Sequence, residues 1–85
     1  MAPTMEEQAV DTEPVGLRLA LIRRRQNRTG KEVAAKSGIS YQGLSLIEQS
    51  HRIPRRETLQ NICDALNVAF EEVVSGTREE EKYRT

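Results

Sequence analysis

Apolar side chains recur every three to four residues along most of the chain, and no segment alternates between apolar and polar positions as a strand does. The first periodic run starts after Pro14, a residue suited to a first helical turn, and ends at residues 26–27. Two more runs, over residues 59–66 and 68–74, lie towards the C-terminus. This spacing predicts a first, a fourth and a fifth helix.

Capping residues predict two shorter helices between these runs. Thr29 and Glu32 form a capping box, in which the threonine oxygen accepts the N–H of residue 32 and the glutamate returns the bond. Gly38 supplies the left-handed conformation that ends this second helix. Ser40 caps a third helix, which buries Leu44 and runs to about residue 49. We therefore expect an all-α domain of five helices over residues 14–76.

The two ends of the chain differ from this domain in composition. Residues 1–13 contain four acidic residues, no basic residue and few bulky apolar side chains, so little burial is available to offset the entropy cost of ordering. They are expected to form a disordered acidic arm. Residues 77–85 carry three acidic and three basic residues and are expected to form a charged tail that frays or extends helically.

The formal net charge of zero ordinarily argues against a nucleic-acid partner, but the charges are unevenly distributed. Residues 15–76 hold ten basic residues against six acidic ones, a net charge of +4. Residues 1–14 carry four acidic residues and no basic one, a net charge of −4. The basic centre of the chain favours a polyanionic partner such as DNA.

Several other classes of protein are excluded by the residues present. The longest apolar run, residues 19–22, is far shorter than the roughly 20 residues of a membrane span, and the N-terminus is acidic where a signal peptide is basic. Cys63 is the only cysteine and His51 the only histidine, so neither an internal disulfide nor a zinc site is expected. No nucleophile–base pair or phosphate-binding glycine loop is found. We expect a cytoplasmic protein with no cofactor and no enzymatic activity.

Residues 15–74 resemble the Cro and phage-repressor type of helix-turn-helix domain, also called the xenobiotic response element family. The landmarks that carry this resemblance are Arg23, Thr29, residues 32–34, residues 38–40, Leu44, Ser45, Ile47, Glu48, Pro54 and residues 57–66. The resemblance implies a compact five-helix, repressor-like fold in which helices two and three form the helix-turn-helix. It also implies a bacterial or phage-like regulator, expected to be a repressor. Such a protein usually binds double-stranded DNA as a homodimer on an inverted repeat, with helix three in the major groove.

The same resemblance gives individual residues expected roles at the bases. Tyr41, Gln42 and Ser45 occupy positions similar to those that face bases in the family. The amide of Gln42 can pair bidentately with adenine N6 and N7, a contact worth about 1–3 kcal/mol of discrimination. Leu46, where the family often has a basic residue, could touch a thymine methyl group or equally pack against a partner protein.

Four further positions are similar to those that bind phosphate in the family. Thr29, Gly30 and Ser40 lie at helix N-termini, where backbone N–H groups meet an anion, and Arg52 follows the third helix. Gly30 departs from the family, which usually has glutamine there, so one side-chain contact to DNA is missing.

Within the domain, the resemblance implies an internal ion pair between Arg23 and Glu48. Removing one partner of a buried pair costs roughly 3–5 kcal/mol, so loss of the fold is expected on its removal.

A helix-turn-helix domain used as a protein-interaction module, antitoxin-like or co-regulatory, is the alternative interpretation. The modest net charge, Gly30 and Leu46 favour it, whereas Gln42 and Ser45 favour DNA. Leu17 and Leu21 fall off the apolar stripe of the first helix, so they are expected either to form a partner surface or to be covered by another part of the chain.

Overall fold

The computed structural model describes residues 13–84, so the predicted acidic arm lies outside the described residues except for Glu13. Within this range the chain forms six helices and no strand: α1 Val15–Arg25, α2 Gly30–Ser37, α3 Tyr41–Glu48, α4 Arg56–Leu66, α5 Phe70–Val74 and α6 Glu80–Arg84. The all-α fold is confirmed, and α1 to α5 are the five expected helices. No helix in the described range is long and apolar enough to cross a membrane.

The caps that set α2 and α3 form largely as the sequence predicts. Thr29 Oγ1 accepts the N–H of Glu32 at 3.0 Å, and Ser40 Oγ accepts the N–H of Gly43 at 2.9 Å. Gly38 ends α2 with φ 76°, in the left-handed region. The return bond of the capping box is the exception, because the Glu32 carboxylate faces the guanidinium of Arg28 at 3.6 Å instead.

One apolar core joins all six helices. Cys63 lies inside it with no exposed surface, and this burial raises the pKa of its thiol to about 12. The thiol therefore acts as a small apolar side chain, as expected for its place on the α4 stripe. The core consists of Val15, Leu19, Val33, Ala34, Leu44, Ile47, Leu59, Ile62, Cys63, Leu66, Val73, Val74 and Tyr83.

Close packing of α1 on α3 depends on a glycine. Gly16 is buried, and a Cβ at this position would overlap the backbone carbonyl oxygen of Ile47. Backbone atoms cannot move aside as a side chain can, so only glycine allows this approach. The contact holds α3 against α1 near the C-terminal end of α3.

The C-terminal segment is part of the packed structure, so the core extends beyond the boundary expected at residue 76. Tyr83 on α6 is 3% exposed, and its hydroxyl donates to the carbonyl of Pro54 at 2.5 Å. Its own carbonyl accepts from Arg56, and its ring meets the edge of Phe70 with centroids 5.9 Å apart. α6 thereby covers the start of α4 and the loop before it.

Candidate nucleic-acid interface

The outer side of α3 carries the four residues expected to face bases. Tyr41, Gln42, Ser45 and Leu46 together line one shallow depression. Tyr41 is 52% exposed and Gln42 is exposed, whereas Ser45 and Leu46 are half-buried. The opposite side of the helix holds the buried core residues Leu44 and Ile47, so the two sides are separated at helical spacing.

Tyr41 also lies against the N-terminus of α2. A Cβ built at Gly30 would be 2.7 Å from Cε1 and 3.3 Å from Cδ1 of the Tyr41 ring. The ring therefore fills the space that any side chain at position 30 would enter. As a result, the first turn of α2 and the outer side of α3 form one continuous surface.

The residues expected at phosphates lie at the borders of this surface. Thr29 and Ser40 are exposed helix caps, each satisfying one backbone N–H. The N–H groups of the first residues of a helix remain available to an anion. Arg52 lies with Ser40 along a groove that Arg55, a residue not singled out from the sequence, also lines.

Arg23 and Glu48 form the ion pair that the resemblance implies. Arg23 Nε and Nη2 donate to the two carboxylate oxygens of Glu48 at 2.8 and 2.9 Å, and Nη1 donates to the carbonyl of Arg28 at 2.8 Å. The side chains are 15% and 12% exposed. The hydrogen bonds to Glu48 raise the pKa of Arg23, with smaller contributions from the charge of Glu48 and from Tyr41. This pair fixes the last residue of α3 to α1.

The ten basic residues of the domain fall into two groups. In the first, which we call the internal arginines, guanidinium groups bond to backbone carbonyls of other segments. In the second, which we call the free basic residues, the side chain is exposed and makes no hydrogen bond or ion pair with any residue in the range 13–84. The internal arginines are Arg18, Arg23, Arg28 and Arg56. The free basic residues are Arg24, Arg25, Lys31, Lys36, Arg52 and Arg55.

Comparison with known proteins assigns this arrangement to a family. A helix-turn-helix family model matches residues 19–73, which include α2, α3 and the turn between them. The chain belongs to the helix-turn-helix family. It is 42% identical over 65 residues to an uncharacterized HTH-type transcriptional regulator, y4dJ, of Sinorhizobium fredii, covering 76% of this chain and 84% of that protein.

The fold is also similar to a solved regulator structure. The crystal structure of the clp gene regulator ClgR from C. glutamicum has a TM-score of 0.69 and 25% sequence identity, covering 84% of this chain and 88% of that chain. Family, relative and structural neighbour together make this helix-turn-helix protein a DNA-binding transcription regulator, a class distinct from enzymes.

One contact on the outer side of α3 in this helix-turn-helix domain was not anticipated from the sequence. The side-chain amide of Gln49 donates to Ser45 Oγ at 2.9 Å. Because Ser45 accepts in this bond, its own proton remains free to be donated to a base or a phosphate. The i, i+4 spacing of the two residues is the signal that could have revealed the pair.

Proposed function

We propose that the protein is a transcriptional repressor that binds duplex DNA as a homodimer and inserts α3 into the major groove. The observation that carries this proposal is the grouping of Tyr41, Gln42, Ser45 and Leu46 on the side of α3 that faces away from the core. The major groove of B-DNA, about 12 Å wide, admits an α-helix.

Sequence reading in this proposal depends on the first turns of α3. Gln42 is exposed and can pair with adenine N6 and N7 through both ends of its amide. Ser45 donates its free proton to a base acceptor, and Leu46 contacts a thymine methyl group. Tyr41 lies at the edge of this set, next to α2.

Phosphate binding positions the helix without reading sequence. The N-termini of α2 and α3 supply backbone N–H groups near Thr29, Gly30 and Ser40. Arg52 and Arg55 are free cations along the groove that contains Ser40. Because each neutralised phosphate releases counterions, affinity should fall steeply as salt is added.

Dimerisation and repression follow from the small footprint of a single domain. One recognition helix reads only a few base pairs, and two copies related by a twofold axis match an inverted repeat, with each half-site presented to one α3. Occupying such a site is enough to block transcription from it. The purified protein should be monomeric or dimeric in solution and dimeric on DNA.

Selection of bound sites from random duplex DNA at about 150 mM salt, near physiological screening, tests the proposal. We expect enrichment of an inverted repeat and two protein chains per selected duplex. A reporter driven through that repeat should fall in output when the protein is expressed. Absence of enrichment would overturn the proposal, and increased reporter output would overturn repression alone.

The protein-interaction module remains a second candidate because one observation favours it. Leu17 and Leu21 are 38% and 37% exposed, side by side on α1, as expected from their position off the apolar stripe. If this surface is the functional one, replacing both leucines by alanine removes partner binding. Replacing Gln42 would then leave function unchanged.

A further inference from the structure

We propose that Gly30 is a positioning residue for DNA recognition, because its missing side chain seats the ring of Tyr41 against the first turn of α2. Held there, Tyr41 contacts DNA beside Gln42 with its orientation already fixed. This inference deepens the proposed function and rests on it.

The backbone gives no reason for a glycine at position 30. Gly38 and Gly76 adopt positive φ angles, which L side chains rarely adopt, whereas Gly30 is the first residue of α2 and has no such angle. Glycine in a helix is less favourable than alanine because it loses more conformational freedom on folding. Gly30 is therefore explained by its surroundings and not by its own conformation.

Those surroundings are the ring of Tyr41. A Cβ at position 30 would lie 2.7 Å from Cε1, 3.3 Å from Cδ1 and 3.9 Å from Cζ, and all three atoms belong to this one side chain. Real Cβ atoms essentially never approach another atom within 3.0 Å, so alanine at position 30 must displace the ring.

This displacement should alter recognition without damaging the fold. Gly16 would collide with a backbone carbonyl that cannot move, but Tyr41 is 52% exposed and can rotate away from position 30. The displaced ring would lose its seat on α2 and shift in the surface it shares with Gln42. A tyrosine held in one orientation before binding loses less conformational entropy on contact with DNA.

A double-mutant cycle tests the inference, with Gly30→Ala, Tyr41→Ala, the double variant and the wild type compared. Affinity for the wild-type selected site and unfolding in urea are measured for each. We expect Gly30→Ala to unfold at no lower urea concentration than wild type, yet to bind on the order of tenfold more weakly, the scale of one misplaced specific contact. In the Tyr41→Ala background, adding Gly30→Ala should cause no further loss of affinity, because no ring is left to displace.

Independent effects would overturn the inference. If Gly30→Ala weakens binding by the same factor with and without Tyr41, position 30 acts on DNA directly; if it leaves affinity unchanged, the seating of Tyr41 has no role. The ring-proton NMR signals of Tyr41 provide a readout without DNA, and unchanged signals in Gly30→Ala would also overturn it.

Gln42→Ala separates failure of this inference from failure of the proposed function. If Gln42→Ala weakens binding and Gly30→Ala does not, only the inference fails. If the wild type shows no preference for any sequence, both fail.

Discussion

Arg18 and Arg52 have the same side chain in two regions that use it differently. At the junction of α1 and α5, Arg18 donates to the carbonyls of Glu72 and Ser75 at 2.9 and 2.8 Å and pairs with Glu13. In the loop after α3, Arg52 is exposed and has no partner within residues 13–84. A guanidinium bonded to carbonyls stabilises the fold, and only an unpaired one is ready for phosphate. The net charge of a sequence therefore does not measure the charge available for DNA.

Breaking the most enclosed internal arginine should have the largest effect. Arg23→Ala leaves the Glu48 carboxylate without its bidentate partner and the Arg28 carbonyl without its donor. We expect the free energy of unfolding to fall by about 3 kcal/mol, the lower end for a broken buried pair. Urea denaturation followed by circular dichroism measures the change.

Arg24→Ala is the matched control for this variant, because Arg24 is adjacent, exposed and among the free basic residues. Its substitution should leave stability nearly unchanged. Equal loss of stability in the two variants would contradict the division between internal and free side chains.

A second pair of variants removes one positive charge from each region. Arg18→Gln should lower the free energy of unfolding by about 2 kcal/mol, since hydrogen bonds from a charged group are lost. Its DNA affinity, measured in the folded state, should keep the wild-type dependence on salt.

Arg52→Gln should do the reverse. Stability should change little, and the slope of log affinity against log salt concentration should become shallower by about 0.9, the value for one phosphate contact. Fluorescence anisotropy of labelled duplex DNA at several salt concentrations measures this slope. Equal slopes for Arg52→Gln and the wild type would show that the loop arginine binds no phosphate.

The smallest effect near neutral pH concerns two buried groups that ionise only in alkali. Burial raises the pKa of Cys63 from 9.0 and that of Tyr83 from 10.0, each to about 12. Because the folded state favours the protonated forms, their stabilising contribution is complete below pH 9 and is lost as the pH rises from 9 to 12.

Thiol labelling of Cys63 follows this loss directly. Labelling should be slow at pH 8 and should accelerate only as the protein unfolds in alkali. Rapid labelling of the folded protein at pH 8 would contradict the burial of this residue.

Local features of the fold could be predicted from the sequence because their causes are local. Thr29, Ser40 and Gly38 act on the backbone within a few residues of their own positions, so the bounds of α2 and α3 could be read directly. The apolar stripes of α1 and α4 likewise depend only on spacing along one helix.

Features that depend on distant partners could not be read in this way. Gly16 looks like a weak point in a helix until the carbonyl of Ile47 is placed against it. Tyr83 looks like part of a charged tail until Pro54 and Arg56 are found beside it. Of the four base-facing candidates, the sequence gave no sign that Tyr41 is also a neighbour of α2.

The most direct test of the account is to select binding sites from random duplex DNA with the wild type and with Gln42→Ala in parallel. The account predicts an inverted repeat for both, with the preference of Gln42→Ala relaxed at one base pair in each half-site. The same preference at every position for the two proteins, or no enriched site for the wild type, would contradict reading of DNA by α3.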